Sequence, residues 1–440
     1  MTARTAERTG PVAAGAHPGL ASGSDRSPRA MDGPVLLAHL GDGPSLGAHR
    51  ERFGALALPR IEALVALARE AQVRGRGGAG FPFAVKLEAV AKGRRPVVVV
   101  NVAEGEPASW KDTALATLVP HRVLDGALVA AQALGVREIH VVTPSERTAV
   151  GAALRHAVDE RRAAGDRMRF TFHLAAPGFV SGQARAVLEL MAGRPNLPVT
   201  AWEPEAMSGH RGRPTLLSNA ETYAHLAMVV RLGAAGCARF GTADEPGTTL
   251  LTIDGDGPSP LVREVAYGAP WSAVLSEAEL GQDVILGGYH GTWAPAGALR
   301  ALSVSRAQLA AAGLALGAGV VLPQAAGTCP VDRTAAIVGF LASRSARRCG
   351  PCLHGLPALA AALGTWSQLG GFAEPVARVE QLLTLVERRG ACAHPDGTAR
   401  LVRSLLVALP EEVAAHQRGR CAVTAGGAAT VQRRSAPVSS

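Results

Sequence analysis

The run Arg74-Gly75-Arg76-Gly77-Gly78-Ala79-Gly80-Phe81-Pro82-Phe83-Ala84-Val85-Lys86 constrains this chain more than any other stretch. Four glycines within residues 75–80 remove the Cβ atoms that keep a backbone away from a ligand, and they let N–H groups face an anion. Gly75, Gly77 and Gly80 have the spacing of a dinucleotide fingerprint, a motif that follows a strand and opens a helix. Here the apolar residues of 61–72 recur at helical spacing, so a helix precedes the loop, and Pro82 argues against a helix starting directly after it. A surface turn explains the glycines but not their sequel. Val97 to Val100 reads as a buried strand that ends in Asn101 and then a turn bearing Glu104 and Glu106. In open parallel sheets ligands bind beyond the carboxyl ends of strands, which is where this turn falls.

From residue 58 helical and extended patterns alternate: helix 60–72, strand 96–101, helix 120–134, strand 138–143, helix 145–164, strand 168–174, helix 181–192. Strands separated by helices predict an α/β fold with a Rossmann-like parallel sheet. From Gly247 short strands take over, at 248–253, 261–265 and 283–288, with a turn at 255–258, and this module reads as a spacer and docking surface. The uncharged stretch 307–331 is long enough to cross a bilayer, but its glycines and prolines break it into helix, turn and a short strand at 319–322. No transmembrane segment is expected. Helical runs at 334–343, 354–367, 374–388 and 397–409 predict a C-terminal bundle. The expected division is a disordered tail 1–33, an α/β domain 34–242, a β-rich domain 243–318, a helical domain 319–417 and a loose tail 418–440.

The glycine loop with Lys86, and Asn101-x-x-Glu104-Gly105-Glu106-Pro107 followed by Lys111-Asp112, resemble the FMN- and NADH-binding subunit of respiratory complex I. The diaphorase subunits of NAD-linked hydrogenases and formate dehydrogenases share the pattern. A third segment, Arg213 to Thr222, looks like the family's Pro-Thr-x-x-x-Asn-x-Glu-Thr. The resemblance implies that Gly75, Arg76, Gly77, Gly78, Gly80 and Phe81 line an FMN site, with Lys86 neutralising its phosphate or ring. It also implies Asn101 at the ring edge and Ser218 and Asn219 near the ribityl phosphate, and it makes the β-rich module a β-grasp domain of the soluble-ligand-binding type.

For NADH or NADPH the resemblance implies a nicotinamide site that keeps Glu104 and Glu106 and includes Gly182 and Gln183. The family's aspartate after the first asparagine is Ala103 here, and its Gly-Glu-Glu-Thr turn is Gly182-Gln183-Ala184-Arg185. Those changes fit either a retuned site, in which Arg185 tolerates a 2′-phosphate, or loss of nicotinamide binding. Trp202 reads equally as an adenine-stacking ring or a core residue.

Cys349-Gly350-Pro351-Cys352 with Cys392 resembles the family's [4Fe–4S] segment, in which Cys-x-x-Cys-x-x-Cys is followed by a fourth cysteine. Cys349, Cys352 and Cys392 match, and the first ligand is replaced by Ala346. A four-iron cluster with another fourth ligand, a three-iron cluster, or none remain open, with His354, Cys329 and Cys421 as unranked substitutes. Cys-Gly-Pro-Cys is also a thioredoxin-type redox motif, but the helical run before it favours the cluster. Cys237, in an Ala/Gly stretch, reads as a small buried hydrophobe, and the thirteen histidines show no metal-ligand spacing.

With 440 residues there is room for two or three domains. The net charge of +9 comes from scattered arginines without a nucleic-acid module, so nucleic acid is not an expected partner. The first thirty residues lack an apolar core of a secretory signal, which favours a reducing cytoplasm. The expected function is NADH dehydrogenase-like: hydride from NADH to FMN, then single electrons through the cluster. The implied acceptor is a ferredoxin-like or thioredoxin-like iron–sulfur carrier protein, or a membrane-associated, quinone-linked one. A non-catalytic docking or assembly subunit of the same fold is the alternative.

Overall fold

The computed structural model describes residues 27–255, 257–368 and 375–423. Within them lie strands β1 (Arg29–Ala30), β2 (Val97–Asn101), β3 (Glu138–Pro144), β4 (Arg169–Ala175) and β5 (Thr215–Asn219). They are followed by β6 (Thr248–Ile253), β7 (Leu261–Ala266), β8 (Val284–Leu286), β9 (Thr292–Ala294) and β10 (Val320–Pro323).

The α/β region holds a four-stranded sheet in the order β4-β3-β2-β5, every pair parallel. Val97, Val98, Val99 and Val100 are all buried, as a strand with helices on both faces requires. The chain steps outward from β2 through β3 to β4, then crosses back to place β5 on the other side of β2. That reversal makes the carboxyl ends of β2 and β5 a topological switch point, where such sheets open a crevice. Asn101 and Asn219 end these strands and are register partners.

The helix expected over 60–72 forms as Ile61–Glu70, and those expected at 120–134, 145–164 and 181–192 form as Pro120–Ala133, Thr148–Ala163 and Ala184–Met191. Pro82, however, does not delay a helix: Phe83–Ala91 is helical with Pro82 at its N-cap. Proline restricts the residue before it, and the missing N–H costs nothing where the first-turn amides lack helical partners anyway. Helices Lys111–Leu118 and Ala220–Cys237 gave no periodic signal. Lys111 to Ala116 are all buried, and a helix enclosed on every side has no polar face to reveal it.

The second sheet runs β1-β7-β6-β10-β8-β9 around Trp271, Leu251, Leu286 and Val321. Its first strand belongs to the segment expected to be a tail: Arg29 and Ala30 pair in parallel with Leu261 and Val262. Residues 1–26 of that tail lie outside the described residues, as do Asp256 of the expected turn and Glu374 at the expected start of the third bundle helix. The stretch 307–331 is indeed divided, into the end of helix Arg306–Ala311, β10 and the start of helix Pro330–Ser343. Among the described residues no single helix is long and apolar enough to cross a membrane.

Helices Pro330–Ser343, Leu356–Ser367, Pro375–Val386, His394–Ala408 and Pro410–Gln417 make the C-terminal layer, packed around Leu341, Leu363, Trp366 and Leu405. Trp293 of β9 donates its indole N–H to Thr334 at 3.0 Å, tying the second sheet to this layer. Structure continues past the expected boundary at 417, since Cys421 is buried in the same core, while 424–440 lie outside the described residues.

Candidate flavin and iron–sulfur site

The glycine loop is pinned at its base. Gly75 N–H donates to the Phe81 carbonyl at 2.8 Å, and Phe83 N–H to that of Val73 at 2.8 Å. Above this base the backbone turns through Gly78 at φ +104° and Gly80 at φ +62°, which favour glycine. A Cβ on Gly77 would meet nothing within 4 Å, so this part of the loop borders open space that a ligand can enter. Phe81 is half exposed.

Arg76 does not extend into that space. Its buried guanidinium donates to the Thr248 carbonyl of β6 at 2.9 Å and to the Tyr267 hydroxyl, and its backbone N–H donates to Thr222 Oγ1 at 3.0 Å. It fastens the loop to the second sheet. Lys86 pairs with Glu205 at 2.6 Å and donates to the Leu217 carbonyl at 2.9 Å. Burial works against the Glu205 carboxylate, but Lys86 outweighs it and holds the acid below its ordinary range.

Glu104 and Asp112 hold the framework together. Helix Lys111–Leu118 has no side-chain cap of its own. Glu104 reaches across to accept from Asp112 N–H and Thr113 N–H, each at 3.0 Å, and from Thr113 Oγ1 at 2.6 Å. It also accepts from Ser109 Oγ at 2.8 Å and Arg147 at 2.8 Å. Arg147 lies 3.7 Å over the Trp110 ring. Burial opposes charge on Glu104, yet Arg147 and Lys111 keep its carboxyl below the ordinary range. Its backbone sits at φ 41°, a conformation these contacts must sustain. Asp112 in turn accepts from Glu221 N–H at 2.9 Å at the uncapped start of helix Ala220–Cys237, and Lys111 bridges Asp112 at 3.0 Å and Glu221 at 3.1 Å. Burial pushes Asp112 up to about 6 despite Lys111.

Glu106 differs. It accepts from Tyr289 N–H at 2.9 Å, in the turn after β8, and from Ala108 N–H at 3.4 Å, and among the described residues no cation is paired with it. Burial pushes its carboxyl up to about 7. Gly105 beside it admits no side chain, because a Cβ would lie 2.5 Å from the Phe179 carbonyl oxygen.

At the switch point Asn101 donates to the Gly182 carbonyl at 2.7 Å and accepts from Ala103 N–H at 3.1 Å. Asn219 accepts from the Thr222 hydroxyl, and Ser218 is buried one residue earlier on β5. Gln183 follows Gly182, and its side chain faces the Cys392 thiol. One short segment thus joins the end of β2 to the cysteines. Arg185 is held by the carbonyls of Ser208, at 3.1 Å, and Glu203. Trp202 is not a core residue: it is 98% exposed. Cys237 is buried as expected, with its thiol pushed up to about 11 by burial.

The other cysteines fall into two groups. Cys349, Cys352 and Cys392 lie near enough for their thiols to act on one another, Cys352 in a wide π turn at Pro351–Gly355. Burial and the neighbouring thiol of Cys349 push Cys352 up to about 12 when no metal is bound. Cys329 and Cys421 belong to a separate cluster, and His354 is exposed. The glycine loop bordering open space at the switch point fits FMN. Three neighbouring thiols suit an iron–sulfur cluster, and Ala346, at the position of the family's first cysteine, has no ligand atom to offer.

Residues 68–228 match the model of the Nuo51 FMN-binding domain, and residues 332–416 that of the NADH-ubiquinone oxidoreductase-F iron–sulfur binding region. The second F-type chain of the NADH-quinone oxidoreductase of Rhizobium meliloti is 28% identical over 88% of this chain and 99% of its own length. The alpha subunit of the NAD-reducing hydrogenase HoxS of Cupriavidus necator is 31% identical over 47% of this chain and 36% of its own. Among solved structures, an NAD+-reducing [NiFe]-hydrogenase in the air-oxidized state superposes with a TM-score of 0.79 at 25% identity, covering 90% of this chain and 68% of that one. The chain belongs to the family of complex I flavoproteins and related hydrogenase diaphorases, whose cofactors are FMN, NADH and an iron–sulfur cluster.

Proposed function

We propose that the chain is a catalytically competent NAD(P)H oxidoreductase subunit that takes hydride at FMN and passes single electrons through the cysteine-held centre to a protein partner. The observation that carries this reading is the segment Gly182-Gln183, bonded to Asn101 at the switch point on one side and facing Cys392 on the other. When bound, FMN supplies the conversion between two-electron and one-electron chemistry. The protein's part is to position and to exclude water.

In this reading Gly75, Gly77, Gly78 and Gly80 cradle the flavin, with Asn101, Ser218 and Asn219 at its edge and Phe81 over the open side. Arg76 shapes the loop from behind, and Lys86, on the helix that leaves it, forms a partly buried ion pair with Glu205. Gly182 and Gln183 border the nicotinamide. Of the two glutamates assigned to that site, Glu104 is consumed by helix capping, so Glu106 is the carboxylate left to hold or release a proton near neutral pH. Cys349, Cys352 and Cys392 hold the iron.

A division into an α/β, a β-rich and a helical domain near the limits 34–242, 243–318 and 319–417 is proposed with it, with β1 and β10 counted in the β-rich sheet and Cys421 in the helical layer, as are a cytoplasmic setting and an iron–sulfur carrier or membrane-associated acceptor as partner. Ala346 favours a second reading, a non-catalytic assembly subunit that keeps the fold. Anaerobic titration of the flavin-loaded protein with NADH and NADPH separates the two: bleaching by either supports the oxidoreductase, and no bleaching by both overturns it.

A further inference from the structure

Apart from Cys349, Cys352 and Cys392, a second group of donor atoms converges in the C-terminal layer. Cys329 precedes helix Pro330–Ser343, Glu412 and His416 stand one turn apart on helix Pro410–Gln417, and Cys421 follows that helix. Their relative exposures are 9%, 7%, 3% and 8%, so the donors are withdrawn from water. One ligand atom from each residue lies within 4.8 Å of all the others. Cys329 Sγ is 3.2 Å from His416 Nε2 and 3.5 Å from Glu412 Oε1. Cys421 Sγ is 3.2 Å from the same oxygen, which is 3.0 Å from His416 Nε2.

We propose that Cys329, Glu412, His416 and Cys421 form a closed four-coordinate zinc site that fastens helix Pro410–Gln417 to the start of the helical layer. A tetrahedron with zinc–sulfur bonds of about 2.3 Å and zinc–nitrogen or zinc–oxygen bonds of about 2.0 Å has edges of roughly 3.3 to 3.8 Å. The observed separations need only small side-chain adjustments to reach them. Two sulfurs, an imidazole and one carboxylate suit a borderline-soft ion of tetrahedral habit. Four protein donors leave no open position, the mark of a structural site. The surroundings agree: His416 Nδ1 faces the Trp366 carbonyl at 3.5 Å, which directs Nε2 to the metal.

Without an ion the arrangement is costly, because two thiols, a carboxylate and an imidazole are buried together, with Cys329 and Cys421 in the core that also holds Leu409, Val413 and Trp366. Binding expels the thiol protons and leaves two thiolates and a carboxylate around a dication, a net charge of −1 on a neutral histidine. The sequence offers only a faint signal, since Glu412 and His416 lie four residues apart but Cys329 is far away along the chain.

The test is zinc and iron content, by mass spectrometry, of the full-length chain purified anaerobically from zinc-replete cells. We expect about one zinc per chain in the wild type and in Cys349→Ser/Cys392→Ser, with zinc lost at least fivefold in Cys329→Ser/Cys421→Ser while iron is unchanged. Zinc absent from the wild type, zinc lost with Cys349 and Cys392 instead, or a Cys329–Cys421 disulfide in the anaerobic protein would each overturn the site. Should the Cys329 variant not fold, cobalt(II) added to Cys349→Ser/Cys392→Ser decides. Intense visible bands of tetrahedral thiolate-bound cobalt support the site, and weak octahedral bands refute it.

Discussion

Replacing Glu106 with glutamine tests how the three parts of the molecule meet. An ordinary glutamate titrates at 4.5, whereas burial against the turn at Tyr289 moves Glu106 up to about 7. Below pH 4.5 the folded and unfolded chains both carry the proton, and no penalty exists. As pH rises the unfolded chain loses its proton first, so stability falls between 4.5 and about 7 and levels off above. At about 1.36 kcal/mol for each pH unit the full penalty is about 3 kcal/mol. Glutamine carries no charge but can accept only one of the two N–H groups, from Tyr289 and Ala108, at a cost of about 1 kcal/mol. Glu106→Gln should therefore be about 2 kcal/mol more stable than the wild type at pH 8 and about 1 kcal/mol less stable at pH 4.5. Urea midpoints of the flavin-free proteins at several pH values read this directly. A difference between the two proteins that does not vary with pH would refute the assignment of a raised carboxyl to Glu106.

Glu104→Gln leaves Arg147 without its buried carboxylate, and a loss of about 3 to 5 kcal/mol in chemical denaturation is expected, with a loss under 1 kcal/mol counting against the capping role. Gly105→Ala forces a methyl to within 2.5 Å of the Phe179 oxygen, so about 1 to 3 kcal/mol of stability and the alignment of Gly182 should be lost together. Gly78→Val, at φ +104°, should abolish flavin retention, and normal flavin content in a folded variant removes the loop from the site. Cys352→Ser should lower bound iron severalfold with flavin unchanged, and unaltered iron would exclude Cys352 as a ligand.

The α/β fold was legible in residue order alone. Four consecutive valines read as a strand with both faces covered, and glycines at 75, 77, 78 and 80 leave a backbone that a ligand can approach closely. Cysteines at 349, 352 and 392 likewise carried the resemblance to an iron–sulfur segment, and residues 332–416 match that region of the family. What a carboxylate or guanidinium does, however, depends on which helix end or carbonyl lies opposite it, and that partner is set by chain crossings far away in sequence. Glu104 and Glu106 are two residues apart and look alike, yet one caps the helix Lys111–Leu118 while the other meets backbone N–H groups, one of them in the turn after β8. Arg76, inside the glycine motif, reaches β6 instead of the loop's open space. Helix Lys111–Leu118 left no periodic trace because all its sides are enclosed, and the meeting of Cys329 with His416 spans a separation that no local pattern encodes. Local chemistry is written in residue order, but desolvation and pairing, which fix charge and role, are settled only when distant elements pack.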